Sequence, residues 1–176
     1  KGGDLLLAAM RELLRTQAVQ CVVLGSGDTY FEQAFNALQA EFPDKMRVWI
    51  GYNESLAHRI EAAADIFVMP SRYEPCGLNQ IYSLRYGTLP VVRYTGGLAD
   101  TVVDASPEAI ERQTATGFVF YNAEPQALLS SLQRALACYA DKKLWAQMQK
   151  AAMARDFSWE RSAQHYLSLY QRCMFS

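Results

Sequence analysis

Two polar turns follow two predicted buried strands, and each turn leads into a helix. The first turn, Ser71–Leu78, carries the carboxylate of Glu74, and the second, Thr95–Leu98, carries paired glycines. Ligands bind at the carboxyl ends of the strands in an open parallel sheet, so the two turns are expected to share one site. A carboxylate accepts hydrogen bonds from hydroxyls, and glycines let backbone N–H groups approach an anion. The pair of turns therefore indicates a nucleotide-sugar site.

Composition restricts the class of protein. A chain of 176 residues is one domain of ordinary size, and its 17 basic residues nearly balance its 18 acidic ones. This balance gives no electrostatic reason to expect nucleic acid or a membrane surface as a partner, and no apolar run reaches the ~20 residues of a membrane span. The four cysteines lie far apart without a C-x-x-C pair. We expect a reducing, cytoplasmic location and no disulfide framework.

Strand and helix patterns alternate along the chain. This alternation predicts an α/β domain with a doubly wound, Rossmann-like parallel sheet, followed by extra C-terminal helices. We expect one helix to start at Ser55 and another to run from Leu98 to about Ser106. The chain opens directly on a helical pattern, which predicts a preceding strand in a longer protein. The predicted strands are 20–24, 46–50, 66–69, 89–93 and 118–120, and the predicted closing helices are 125–140, 142–154 and 159–174.

Seven short motifs occur in an order and at a spacing that resemble one enzyme family. Together they resemble the carboxyl-terminal, donor-binding domain of bacterial glycogen synthases and the related starch synthases. These enzymes are retaining glycosyltransferases with two facing Rossmann-like domains, so the resemblance implies the C-terminal half of a GT-B fold. The motifs are Lys1-Gly-x-Asp4, Gly25-Ser-Gly-Asp28, Ile50-Gly-Tyr52, Ser71–Gln80, Tyr86–Pro90, Thr95–Val102 and Asp156–Trp159.

The resemblance implies transfer of glucose from ADP-glucose to the non-reducing end of an α-1,4-glucan, glycogen, without a cofactor. Lys1 matches the lysine that neutralises the diphosphate as the glycosidic bond breaks, and Glu74 matches the acidic residue that holds glucose hydroxyls. These two are the catalytic candidates. The candidates for binding the sugar, the phosphates and the base are Tyr52, Cys76, Gly77, Leu78, Thr95, Gly96, Gly97, Leu98 and Gly25.

Three departures from the family pattern have consequences. Many related glycosyltransferases place a second glutamate, which binds the ribose, at the position of Tyr82. The absence of this glutamate is typical of the glycogen synthase branch. The family's arginine, five residues before the lysine, and its whole amino-terminal domain lie outside this chain. We therefore expect the chain alone to bind donor weakly and to transfer nothing. We also expect residues 1–157 to form the nucleotide-sugar-binding domain and 158–176 a helix that packs partly on the missing domain.

Each candidate also has a simpler structural interpretation. Glu74 precedes Pro75 in a loop, where a solvated carboxylate is common, and Lys1 by itself would be a solvated charge. Tyr52 could cover the sheet edge, and the glycine turns could serve only the backbone. Arg72 stays unassigned between an anion and a neighbouring carboxylate. The two histidines lie far apart in the sequence, so no metal site is expected.

Two other functions remain open beside glycogen synthesis. One is a glycosyltransferase of the same fold that uses a UDP- or GDP-sugar on another acceptor. Tyr82 counts against it, and competition between nucleotides would decide. The other is a non-catalytic nucleotide-binding or glucan-associated module, which the intact Glu74 and Thr95–Leu98 turns disfavour.

Overall fold

Helices and strands alternate through most of the computed structural model, which describes residues 1–174. The strands are β1 (Cys21–Gly25), β2 (Met46–Ile50), β3 (Ile66–Met69), β4 (Leu89–Arg93) and β5 (Phe118–Phe120). The helices are α1 (Gly3–Thr16), α2 (Thr29–Glu41), α3 (Glu54–Ala63), α4 (Asn79–Tyr86), α5 (Gly96–Thr101), α6 (Pro107–Glu111), α7 (Pro125–Ala140), α8 (Lys142–Met153) and α9 (Trp159–Met174).

All strand pairs of the described chain are parallel, which confirms the predicted α/β class. β1 pairs with β2 in one sheet, and β4 lies between β3 and β5 in a second sheet. Cys21 stands opposite Met46 in the first sheet, and Ile66 stands opposite Leu89 in the second. β1 and β3 are not hydrogen-bonded to each other among the described residues.

The helices pack in two groups, as expected for a doubly wound domain. Helix α1 packs on α2 and α7, whereas α4 packs on α3 and α8. Between these groups, the core is centred on β4 and β5, whose buried side chains include Val91 and Phe118. Trp145 of α8 stacks on Phe118 with 6.2 Å between ring centroids. Among the described residues, no helix is both long and apolar enough to cross a membrane.

Three predicted helices have other bounds in the structure: α3 starts before Ser55, the helix predicted from Leu98 to about Ser106 spans Gly96–Thr101, and the helix predicted to reach residue 154 ends at Met153. Helix α3 starts one residue before Ser55, because Asn53 caps it by accepting a hydrogen bond from the Leu56 N–H. The helix predicted to reach Ser106 ends instead at Thr101. Ser106 caps the separate helix α6, and Pro107 occupies its first turn, where a missing N–H costs nothing.

Helix α9 contributes no buried side chain among the described residues. Trp159 is 84% exposed, and Leu167 and Tyr170 are more than half exposed. The predicted boundary at residue 157 therefore falls just before a helix that buries no side chain in the core. The division into two units stays a prediction. The last two residues of the predicted unit 158–176 lie outside the described part of the chain.

Glu61 of α3 is a buried carboxylate, and its Oε2 has no hydrogen-bond partner in the structure. Burial raises its pKa above the usual value, and the nearby His58 only partly opposes this shift. The folded state therefore binds the Glu61 proton more tightly than the unfolded state does. The resulting stability is fully present below the unfolded pKa and is lost as the pH rises through the folded pKa.

We expect Glu61→Gln to raise the free energy of unfolding by about 1 kcal/mol at pH 8, because it removes a buried charge. The gain should vanish near pH 4, where Glu61 of the wild type is protonated and neutral like the glutamine. Urea unfolding of the full chain at the two pH values measures both effects. The exposed Glu111→Gln serves as the control, and an equal gain at both pH values would contradict this explanation.

Candidate functional site

The two predicted catalytic residues touch each other. Lys1 Nζ lies 2.6 Å from Glu74 Oε2, and the Ser71 hydroxyl donates to the same oxygen at 3.2 Å. The Glu74 side chain is only 9% exposed, whereas the Lys1 side chain is 79% exposed. Glu74 is therefore not a solvated loop carboxylate, because it is buried and held by two donors.

An ion pair joins the start of α1 to the turn that carries Glu74. Arg72 contacts Asp4 at 2.7 Å, so the residue left unassigned from the sequence has a carboxylate partner. Both side chains are about half exposed, so the pair adds little stability by itself. The pair lies between the helix that follows Lys1 and the turn that carries Glu74.

Arg93 supports the same turn from β4. Its Nε donates to the Ser71 carbonyl at 2.9 Å, and its Nη2 donates to the Arg72 carbonyl. The guanidinium therefore fixes the backbone just before Glu74. Sequence reasoning missed this role, because Arg93 lies 22 residues from Ser71 and no local pattern connects them. It also missed Ser71 as a partner of Glu74, although the residue belongs to the first motif.

The two glycine-containing turns are packed backbone to backbone. The Gly97 N–H donates to the carbonyls of Glu74 and Pro75 at 3.1 and 3.2 Å. A Cβ at Gly97 would lie 2.0 Å from the Cys76 oxygen, and one at Gly96 would lie 2.1 Å from the Glu74 oxygen. The glycines of the second turn are therefore required for contact with the first. The prediction that the turns share one site is consistent with this geometry.

Two N–H groups of the second turn, those of Gly97 and Leu98, donate hydrogen bonds to carbonyls of the protein. Besides the Gly97 N–H, the Leu98 N–H donates to the Thr95 carbonyl at 3.1 Å. The turn Thr95–Leu98 therefore acts first as a support for the Glu74 turn. Its predicted contact with the sugar or phosphates stays a prediction.

Several candidates line a cavity of about 410 Å³, whose walls also include residues of β1 and β3. Leu78 is 55% exposed, and the Cys76 thiol is also exposed, next to the Gly77 carbonyl. The cavity walls combine apolar strand residues with the polar groups of the Glu74 turn. The lining includes Lys1, Ser71, Glu74, Gly77, Leu78, Asn79, Val23, Leu24, Val68 and Met69.

The candidates for contact with the base lie together at the ends of β1 and β2. The Gly51 N–H donates to the Gly25 carbonyl at 2.9 Å, which places Gly25 beside the segment that carries Tyr52. The Tyr52 ring is 84% exposed, and its hydroxyl reaches Glu54 at 3.4 Å. The structure thus gathers the predicted residues into two groups, one at the first sheet and one at the second.

Tyr82 lies on α4 and faces α3. Its ring centroid is 5.4 Å from that of His58, and Tyr86 contacts the same histidine. His58 therefore packs between the aromatic side chains of Tyr82 and Tyr86.

Comparisons with known proteins agree with this architecture. The model of the family described as glycosyl transferases group 1 matches residues 1–155. The chain belongs to this family. Glycogen synthase from Thioalkalivibrio sulfidiphilus is 58% identical over 171 residues, which cover 97% of this chain and 35% of the relative. Glycogen synthase 1 from Methylococcus capsulatus is 53% identical over 174 residues, covering 99% of this chain and 35% of the relative.

Solved structures show the same relationship. The catalytic domain of starch synthase IV from Arabidopsis thaliana, bound to ADP and acarbose, is 28% identical with a TM-score of 0.73. The match covers 97% of this chain and 42% of that one. The predicted resemblance to glycogen and starch synthases and the Rossmann-like half of a GT-B fold are thus confirmed. This glycosyl transferases group 1 chain spans about a third of the length of the curated relatives it matches.

Proposed function

We propose that this chain is the donor-binding domain of a glycogen synthase. We call a protein of the relatives' full length the full-length enzyme. In that enzyme, this domain binds the donor for the transfer of glucose from ADP-glucose to the non-reducing end of an α-1,4-glucan, with retention of the anomeric configuration. The observation that carries the proposal is the contact of Lys1 with the buried Glu74 on the wall of the cavity. A cation and a carboxylate there suit a diphosphate joined to a sugar.

Lys1 and Glu74 can act together on one donor. A lysine ammonium has three N–H donors, so Lys1 can keep Glu74 and still donate to a diphosphate oxygen. Lys1 then stabilises the negative charge that grows on the diphosphate as the glycosidic bond breaks. Glu74 Oε2 accepts from Lys1 and Ser71, which leaves Oε1 to accept hydrogen bonds from glucose hydroxyls.

The ends of β1 and β2 suit the base of the donor. The exposed Tyr52 ring offers an open face for stacking, and Gly25 lies beside it without a side chain. Adenine is favoured over other bases by the high identity to proteins named glycogen synthase and by the ADP bound to the similar starch synthase IV. The reaction requires no cofactor in this proposal.

The remaining partners follow from the same proposal. The glucan and the amino-terminal domain of the full-length enzyme would face the Glu74 turn, and α9, with its exposed Trp159, Leu167 and Tyr170, would pack on that domain. We place the enzyme in the cytoplasm, because the four cysteine thiols of this chain are free, as in a reducing compartment.

A transferase of the same fold that uses a UDP- or GDP-sugar is the second candidate. Titration calorimetry of the full-length enzyme with ADP, UDP and GDP separates the two. We expect selective binding of ADP, followed by transfer of glucose from ADP-glucose to glycogen. Preference for UDP or GDP would reject the glycogen synthase proposal in favour of this alternative. Binding of ADP-glucose without any turnover would support a non-catalytic module instead.

We expect Tyr52→Ala to weaken ADP binding by about 1–3 kcal/mol, the range found for bases stacked on aromatic side chains in nucleic-acid complexes. The loss should appear in the dissociation constant for ADP, measured by calorimetry on the full-length enzyme. Tyr30→Ala removes a similarly exposed ring from α2 and should change nothing. Unchanged ADP affinity in Tyr52→Ala would remove Tyr52 from the site.

A further inference from the structure

Gln80 is a fully buried amide beneath the Glu74 turn. It lies in the first turn of α4 and has no exposed surface. Its Nε2 donates to the carbonyl oxygens of Cys76 and Gly77 at 3.0 and 2.9 Å. The same nitrogen lies 3.3 Å from the hydroxyl of Thr101 on α5. One side chain thus contacts three groups from two segments.

The contacts continue from Thr101 to the second turn. The Thr101 hydroxyl donates to the Gly97 carbonyl at 2.5 Å. A chain of hydrogen bonds therefore runs from the first turn through Gln80 and Thr101 to the second turn. This chain holds the two turns together from below, whereas the Gly97 N–H joins them directly through the carbonyls of Glu74 and Pro75.

Holding a carbonyl also orients the next N–H. In a trans peptide the C=O and the following N–H point in opposite directions. Because Gln80 draws the Cys76 and Gly77 carbonyls inward, the N–H groups of Gly77 and Leu78 point away from it. Gly77 and Leu78 line the cavity, and neither N–H has a protein partner among residues 1–174.

We propose that Gln80 is a positioning residue of the donor site. It aims the Gly77 and Leu78 N–H groups at the anionic part of the donor and couples their turn to the Thr95–Leu98 turn. This inference rests on the proposed function and deepens it. It assigns a task to a residue that never touches the donor.

The unpaired oxygen of Gln80 supports this role. Oε1 is buried without a hydrogen-bond partner, so the side chain is not optimised for stability. The same atom lies 2.4 Å from the position that a Gly77 Cβ would take, and the φ of +74° at Gly77 also favours glycine there. A methionine would fill a similar volume without burying an unpaired oxygen. The N–H groups that Gln80 donates to the Cys76 and Gly77 carbonyls therefore explain why an amide side chain stands here.

The test replaces Gln80 with methionine in the full-length enzyme. Gln80→Met keeps the approximate shape and removes every donor, so the two N–H groups lose their fixed direction. We expect kcat with ADP-glucose to fall about 100-fold, the scale of effect of a small misplacement in a site, and ADP binding to weaken as well. The kcat and the ADP affinity are measured about 20 °C below the unfolding temperature of each variant. Lost stability alone then cannot produce the two losses.

Gln147→Met is the matched control. Gln147 also donates from Nε2 to a backbone carbonyl, that of Ile110 at 3.1 Å, but it belongs to α8. This variant should retain the kcat and ADP affinity of the wild type. Thr101→Val should lower kcat by a smaller factor. The double variant with Gln80→Met should lose less than the product of the two single losses, because both act through one hydrogen-bond chain.

The outcomes separate this inference from the proposed function. Wild-type kcat and ADP affinity in Gln80→Met, with only a lowered unfolding temperature, would overturn the positioning role. ADP binding that depends on Gln80 in a full-length enzyme without transfer activity would support the positioning role and reject the proposed function. A wild-type protein that binds no ADP would overturn both.

Discussion

Replacing Glu74 with alanine in the full-length enzyme is expected to lower the turnover of ADP-glucose by about 10²–10³-fold. The reason is the position of the carboxylate, which is buried on the wall of the cavity and already shares Oε2 with Lys1 and Ser71. Alanine removes the acceptor for the glucose hydroxyls and leaves Lys1 without its partner. ADP carries no glucose, so its affinity should change little. Steady-state kinetics and ADP titration measure the two effects.

Glu124→Ala is the matched control for this prediction. Glu124 also precedes a proline, Pro125, but it is exposed and its side chain makes no capping hydrogen bond. Its loss should leave turnover unchanged. If Glu74→Ala weakened ADP binding as much as it lowered turnover, Glu74 would face the nucleotide or support the fold instead of holding the sugar.

The comparison of Glu74 with Glu124 shows what a sequence pattern can and cannot supply. Both residues occur in a Glu-Pro dipeptide in a loop, and composition alone predicts a solvated carboxylate for each. The difference comes from Lys1, which lies 73 residues before Glu74 in the chain. Periodicity and turn chemistry report neighbours within a few residues, so they do not indicate this contact. The family resemblance suggested both roles but not that the side chains meet.

The strands and helices were easier to predict from the sequence than the hydrogen bonds between distant side chains. The expected strands 46–50, 66–69, 89–93 and 118–120 coincide with β2 to β5, because short apolar runs between turn residues define them. The separate helix α6 was missed although Ser106-Pro107 is a recognisable helix start. The hydrogen bonds from Gln80 to Thr101 and from Arg93 to Ser71 could not be predicted, because they join residues that are 21 and 22 positions apart in the chain.

The packing of the two turns also yields the second large prediction. We expect Gly97→Ala to lower the free energy of unfolding of the full-length enzyme by about 3 kcal/mol, the upper range for overpacking. It should also reduce glucose transfer by roughly 100-fold. A Cβ there would lie 2.0 Å from the Cys76 oxygen and 2.6 Å from the Cys76 Cα, so backbone must move. Urea unfolding and steady-state kinetics measure the two losses.

Gly27→Ala provides the control, because a Cβ at Gly27 would meet no atom within 4 Å. Its stability should stay within about 0.5 kcal/mol of the wild type, as for other surface substitutions. The contrast tests whether paired glycines before a helix serve an anion or serve the neighbouring turn. If Gly97→Ala lost donor affinity but no stability, the glycine would be needed only for the ligand. Loss of both would show that the second turn contributes to the donor site by holding the Glu74 turn in place.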